Sequence, residues 1–384
     1  MPEPRAASRE VLLVGGGHAH VLLLRRWRVR PLEGARVTLL SDRPAFHYSG
    51  MVPGFVAGQY SEDALAVDLR ALAERAGVRF VLGAARRVDA FARAVDVSPG
   101  ESGASSDRLR YDVGSVDVGA SVLGDELPGV RAYALVTRPM ADFVSGLAPW
   151  LAQVTSAAER GARRLVVVGG GAAGCELALT LHARLRGEVE VVLVETGDAL
   201  LGGRTPRLAA ALARELSRRS IAVRFRSRVA ALEARALKLE GGEALACHGV
   251  VWATGAAPPP VLSASALPVD ARGFVRVRPT LQVAGHDDLF CVGDAASPQA
   301  GRSVPKAGVY AVRAAPVLAH NLEARLTGRP LRVFRPQQSF LALLHCGDGT
   351  AIGSKWGLVF QGRLAFRLKD AIDRRFVDGL RGRA

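Results

Sequence analysis

The chain has 384 residues, 49% of them hydrophobic, with 51 basic against 36 acidic side chains and a formal charge of +15 at pH 7. That length allows two or three domains with real cores. The positive charge is nearly all arginine, Lys238, Lys306, Lys355 and Lys369 being the only lysines, and it is spread along the chain. It lacks the stripe that tracks a phosphate backbone, so no nucleic-acid partner is expected. Cys175, Cys247, Cys291 and Cys346 lie far apart with no C-x-x-C pair, which speaks against zinc or a disulfide framework and for a reducing cytoplasm. No metal site is expected. Residues 1–10 are polar, and no stretch reaches the roughly 18 uninterrupted apolar residues of a spanning helix.

In chain order, residues 11–14 (Val-Leu-Leu-Val) read as a buried parallel strand, Gly15-Gly16-Gly17 as a tight turn and residues 19–26 as a helix. This is the strand–turn–helix context of a dinucleotide fingerprint: the turn lets a pyrophosphate approach the backbone, and the helix N-terminus offers N–H groups and a positive dipole. His20 stands where a third glycine would allow close helix–strand packing. The strand at residues 37–40 ends on Ser41 and Asp42, where a hydroxyl or carboxylate is placed to bond a ribose. The following Arg43-Pro44-Ala45-Phe46-His47-Tyr48-Ser49-Gly50-Met51-Val52-Pro53-Gly54 reads as a loop that covers the face of a flat ring. An amphipathic helix is expected at 63–76, a strand at 78–82, a polar hairpin tip at 100–107, and a further strand within 111–119 ending at Gly119.

Residues 120–163 form a bridge with a helix at 140–160. The fingerprint then repeats: Leu165-Val166-Val167-Val168-Gly169-Gly170-Gly171-Ala172-Ala173-Gly174, now with its third glycine, followed by a helix at 172–185. Glu195 lies 26 residues after Gly169, as Ser41 lies 26 after Gly15. Two such units imply two nucleotide sites in one chain, and two bound dinucleotides suggest electron transfer between them. A helix is expected at 208–219, and strands at 222–225, 229–232 and 237–239 as a small antiparallel appendage. The apolar run 250–255 ends at Gly255, and Pro258-Pro259-Pro260 marks a boundary. Residues 289–292 form a buried strand that turns at Gly293 and presents Asp294; a long helix is expected at 307–326. The end of the chain is basic and aromatic, then amphipathic: Leu364, Ala365, Leu368, Ala371, Ile372, Phe376 and Leu380 share one broad helical face, opposite Arg363, Arg367, Asp370, Arg374 and Arg381.

The paired glycine fingerprints, Ala253-Thr254-Gly255 and Gly293-Asp294 together resemble the FAD-dependent pyridine nucleotide-disulfide oxidoreductases. Gly17-His18-Ala19-His20-Val21, the Tyr48–Gly54 stretch, Pro305-Lys306-Ala307-Gly308 and Asp370-Ala371-Ile372-Asp373-Arg374-Arg375-Phe376 are similar to the branch of type II NADH dehydrogenase-like proteins often fused ahead of selenide, water dikinase, here in free-standing form. The resemblance implies an α/β protein of two Rossmann-like dinucleotide-binding domains, the second inserted in the first. An FAD domain would span 1–120 and 258–328, an NADH domain 121–257, and a C-terminal interface segment 329–384.

It further implies FAD at Gly15, Gly17, His18 and Ala19, with Ser41 or Asp42 on the ribose, and Pro53, Gly119, Gly293 and Asp294 completing the site. NADH would lie at Gly169, Gly171, Gly174 and Gly255, with Glu195 on the ribose hydroxyls, disfavouring the extra phosphate of NADPH, though Arg204 nearby softens that preference. Glu176 falls at the nicotinamide–flavin junction, and Lys306 is placed either to stabilise negative charge on a reduced ring or as an exposed lysine at a helix start. The implied activity is hydride transfer from NADH to FAD, then electron transfer to a quinone. The alternatives are a soluble acceptor (a small redox protein or a sulfur or selenium compound) and a non-catalytic flavin-binding protein, against which the intact second fingerprint and Glu195 speak. Thiol–disulfide chemistry is not expected, because the Phe46–Gly54 loop has no cysteine. The C-terminal segment is read as a docked or dimer-forming helix or as an in-plane anchor on the inner face of the membrane.

Overall fold

A computed structural model describes residues 8–98, 108–156, 163–300 and 303–383. Strand β1 (Arg9–Val14) buries its last four residues and runs through the Gly15–Gly17 turn into α1 (His18–Trp27), which packs Ala19, Val21, Leu23, Leu24 and Trp27 inward. β2 (Ala35–Ser41), β3 (Arg79–Leu82) and β4 (Val113–Val116) all pair in parallel within one sheet. The central strand β1 is buried on both faces, which is why its last four residues read as a continuous apolar run, whereas the edge strand β3 is only half-buried.

The helix expected at 63–76 is instead two short helices, Glu62–Leu65 and Leu69–Arg75, separated by a strand, Ala66–Asp68, that pairs antiparallel with Ala45–His47. The Asp68 carboxylate accepts from the Ala71 amide at 2.9 Å, so the second helix begins with its own cap and the periodicity runs across a break. The hairpin tip at 100–107 lies outside the described residues.

The second sheet takes β5 (Ala134–Val136), and after α2 (Met140–Thr155) come β6 (Arg164–Val168), α3 (Ala172–Arg184), β7 (Glu190–Val194), β8 (Ala222–Arg224) and β9 (Gly249–Trp252). Its order is β5-β9-β6-β7-β8, every pairing parallel. Residues 157–160 of the helix expected at 140–160 lie outside the described residues. β8 was expected in the antiparallel appendage; it joins the parallel edge beside β7 instead, and the appendage consists of Val229–Glu233, Ala236–Leu239 and Ala244–Ala246. Periodicity cannot choose between those partners, because a three-residue strand looks the same in both.

The chain then returns. β10 (Leu289–Cys291) pairs with β4, giving the first sheet the order β10-β4-β1-β2-β3, so the whole second sheet is inserted between two neighbouring strands of the first. α4 (Gly308–Thr327) follows and closes at Gly328, which takes the left-handed conformation at φ 70°.

The C-terminal segment is more than a helix. β11 (Ala342–His345), β12 (Ala351–Lys355) and β13 (Leu358–Gly362) form an antiparallel sheet ahead of α5 (Arg363–Arg381). α5 also sits rotated from the expected face. It buries Ala365, Lys369, Asp373, Val377 and Leu380 and leaves Leu364, Leu368 and Ile372 outside. The inward charges are tolerated because they neutralise each other: Lys369 Nζ donates to Asp373 Oδ2 at 2.9 Å and to the Gly50 carbonyl at 2.6 Å. Among the described residues no helix is long and apolar enough to cross a membrane.

Candidate active site

The two fingerprints superimpose in their backbone bonding. Gly15 N donates to Leu40 O and Asp117 N to Val14 O; Gly169 N donates to Val194 O and Ala253 N to Val168 O, all at 2.8–2.9 Å. Gly15 (φ 95°) and Gly169 (φ 114°) make the same turn, and a Cβ on either would lie 2.5 Å from the carbonyl of Asp117 or Ala253. Only glycine meets both demands.

In the second unit, a Cβ on Gly174 would lie 1.7 Å from the Gly169 carbonyl, so the third glycine permits the close approach of helix and turn. A Cβ on Gly171 would meet nothing within 4 Å, which leaves an open cradle at the N-terminus of α3. Both Glu195 oxygens are fixed by backbone amides, Oε2 by Gly170 N at 2.5 Å and Oε1 by Gly197 N at 2.6 Å. A preset carboxylate beside an open helix terminus fits the ribose and diphosphate of a dinucleotide. A Cβ on Gly255 would meet only Leu123, at 4.0 Å.

In the first unit, His20 replaces the close packing of a third glycine with bonds. Nδ1 lies 2.7 Å from the Gly15 carbonyl and Nε2 2.8 Å from Ser115 Oγ, and burial lowers its pKa. Ser41, one of the two expected ribose groups, spends its hydroxyl on its own turn, donating to Arg43 O at 2.9 Å, while Asp42 remains exposed. Asp294 is paired: Arg138 Nη1 stands 2.9 Å from its Oδ2. Pro53 is buried in the helix Val52–Val56, and Gly119 (φ 70°) faces open space.

His18 begins α1 against Phe46, with ring centroids 4.9 Å apart edge-on, and against Tyr48 and Phe376, which stack on one another at 4.3 Å. A Cβ on Gly308 would reach 3.1 Å from His18 Nε2, so the start of α4 closes over the imidazole. Burial lowers the His18 pKa, opposed by Asp117 and Asp294 and assisted by Arg138. The glycine turn, the Phe46–Gly54 loop, Gly293 and Asp294 thus gather around His18 and Asp117, beside aromatic rings of the kind that suit a flat cofactor ring.

Lys306 is not an exposed helix-start lysine. Its Nζ donates to the Ala296 carbonyl at 2.6 Å and lies 3.8 Å from the centre of the Phe274 ring. Burial brings it down to about 8, with Asp294 acting in the other direction.

Glu176, on α3, faces the C-terminal unit and accepts from the His345 amide at 2.7 Å. Burial pushes it up to about 7, with Lys369 and the His345 amide pulling down and Asp373 pushing up. Tyr60 donates to Asp370 at 2.5 Å beside the same cluster. His345, Lys369, Asp373 and Asp117 were not anticipated as site residues. Lys369 and Asp373 announced themselves only as an i, i+4 pair of opposite charge, a spacing equally common on a solvated helix face. Asp117 had a clearer signal, its alignment with Ala253 in the second copy.

The four cysteines are buried and free. Burial pushes Cys175 and Cys346 up to about 12, so both stay thiols at neutral pH. Among the described residues no cluster of three or more His, Cys, Asp or Glu could hold a metal.

The family model described as pyridine nucleotide-disulphide oxidoreductase matches residues 9–315. The chain belongs to that family. It is an FAD-dependent oxidoreductase that takes its electrons from NADH or NADPH. The demethylphylloquinone reductase NdbB of Synechocystis is 26% identical over 370 residues, covering 94% of this chain and 90% of the relative. The type II NADH:quinone oxidoreductase of Staphylococcus saprophyticus is 22% identical, covering 97% and 96%. In fold the chain is similar to NDH2 of Plasmodium falciparum, solved with NADH (TM-score 0.82, 15% identity, 96% of each chain). It is also similar to the sulfide:quinone oxidoreductase of Aquifex aeolicus (TM-score 0.78, 18% identity, 97% and 92%).

Proposed function

We propose that this chain carries electrons from NADH to a quinone dissolved in a membrane against which the C-terminal unit lies. One observation carries the reading: α5 has two working faces. Inward, Lys369 and Asp373 close on Gly50 and on the surroundings of Glu176. Outward, Leu364, Leu368 and Ile372 stand exposed and share the C-terminal unit with exposed Trp356, Leu358 and Phe360. Exposed Arg363, Arg367, Arg374 and Arg375 accompany them. Apolar side chains with arginines among them suit the headgroup boundary of an anionic bilayer. An acceptor leaving the lipid would meet the buried end of the site within the same unit.

FAD, when bound, supplies the two-electron chemistry between nicotinamide and acceptor. Gly15, Gly17, His18, Ala19, Pro53, Gly119, Gly293 and Asp294 would hold it, with Asp42 better placed than Ser41 for the ribose because its carboxylate is exposed and carries only a 3.8 Å ion pair to Arg43. Gly169, Gly171, Gly174 and Gly255 would cradle the NADH diphosphate. Glu195, immobilised by two amides, would accept the ribose hydroxyls and repel a 2′-phosphate. Lys306 would act as a fixed positive charge near Asp294. Quinone reduction consumes protons, and Glu176, about half protonated near pH 7, would hold one at the acceptor's end of the cleft.

Mixing the purified protein with NADH under anaerobic conditions should bleach the visible flavin band. A quinone analogue should restore it faster than soluble acceptors do. Faster reoxidation by a soluble acceptor, together with no sedimentation on anionic vesicles, would overturn the reading.

A further inference from the structure

The two nucleotide-binding turns share their backbone bonds, but the residue that follows the strand beside each turn differs in charge. The residue after β4 is Asp117; the residue after β9 in the same role is Ala253. Asp117 is 2% exposed. Its Oδ2 accepts from the amides of Ala19 at 2.8 Å and His20 at 3.2 Å, within the first turn of α1. A Cβ on Gly17 would lie 2.3 Å from its carboxyl carbon, and one on Gly293 would lie 2.4 Å from its Oδ1. At Gly171, the counterpart of Gly17, the same space is open. The first helix terminus therefore already carries an anion, whereas the second does not.

We infer that Asp117 sets the strength with which the first site holds its flavin nucleotide, by competing with the diphosphate for the N-terminus of α1. The proposal rests on the reading that the first fingerprint binds FAD. A helix N-terminus attracts anions through its free amides and its dipole. Two of those amides are satisfied here by a side chain that is itself negative. A diphosphate at this turn meets the amides that precede Ala19 and a carboxylate alongside. The cations near the cluster are Arg138, which Asp294 already engages, and Lys306, which lies toward Asp294 and is held by the Ala296 carbonyl. The uncharged partners are His18, whose pKa is lowered, and Gly293. The consequence is a nucleotide site built for weaker, exchangeable retention, whose glycines accommodate the protein's own carboxylate as well as a ligand.

The test uses the full chain stripped of flavin and titrated separately with FAD and with riboflavin, which lacks the diphosphate, following the quenching of flavin fluorescence. Asp117→Asn keeps the shape and removes the charge. It should tighten FAD binding about tenfold, leave riboflavin binding unchanged and lower the thermal midpoint of the stripped protein. The converse change, Ala253→Asp, puts a carboxylate into the open space beside Gly171 and should weaken NADH binding by a similar factor. FAD binding in Asp117→Asn that is unchanged or weaker would overturn the proposal and leave Asp117 as a structural cap. An equal shift for FAD and riboflavin would also overturn it, because the effect would not act on the diphosphate. If neither the wild type nor the variant takes up FAD while NADH still binds, the assignment of flavin to the first site fails, and the proposal falls with it.

Discussion

At the scale of single residues, Glu176 is the most informative side chain. Its native pKa of about 7 lies above the unfolded value of 4.5, so between those values the native state retains a proton that the unfolded chain has released. Its contribution to stability therefore falls as pH rises from about 4.5 to about 7 and is constant above. Glu176→Gln should remove that slope, measured as the denaturation midpoint across pH 4.5–8, and under the proposed function should also remove the limb near pH 7 from quinone-dependent turnover. Glu195→Ala should lower the preference for NADH over NADPH by about tenfold in kcat/KM, since the carboxylate that repels a 2′-phosphate is gone. Undiminished preference would take Glu195 out of the ribose site. Glu195 was singled out beforehand by its position at the end of a strand, and Glu176 by the resemblance to the family. The elevated pKa of Glu176 was not legible, because it comes first from burial, which the C-terminal unit completes from more than 165 positions away, with Asp373 adding to it against Lys369 and the His345 amide.

At the scale of elements, α5 shows how an amphipathic pattern misleads when charges pair. Counting apolar residues puts Leu364, Leu368 and Ile372 on one face with Ala365 and Leu380, to be docked, dimer-forming or laid on a membrane. The fold instead buries Lys369 and Asp373, because that pair satisfies its own charges and the Gly50 carbonyl. Lys369→Met should cost about 3–5 kcal/mol of stability, as Asp373 would remain buried without its partner, and the double change Lys369→Met with Asp373→Leu should recover much of the loss. Chemical denaturation of the two variants beside the wild type checks this. Leu364→Asp, Leu368→Asp and Ile372→Asp together should abolish sedimentation with phosphatidylglycerol vesicles and leave anaerobic flavin bleaching by NADH intact, because those side chains touch neither glycine turn. The three-stranded sheet ahead of α5 left little trace in the pattern, since its strands are four or five residues long and one of them is mostly exposed.

At the scale of the whole molecule, the chain is one α/β unit interrupted by a copy of itself, with a C-terminal unit joining the loop after β2 to α3. Apolar runs, glycine turns and the 26-residue spacing determined both parallel sheets, their nucleotide-binding ends and the family, because local turn chemistry and strand burial are written in adjacent residues. Only the tertiary structure decided what faces those ends. It placed a carboxylate at the terminus of α1, locked Asp294 to Arg138 and Lys306 to Phe274, and brought Glu176 against Lys369 and His345. Those outcomes depend on which buried charge finds which partner across the fold, and a low-dielectric interior makes that choice by total neutrality and bonding rather than by neighbours in sequence.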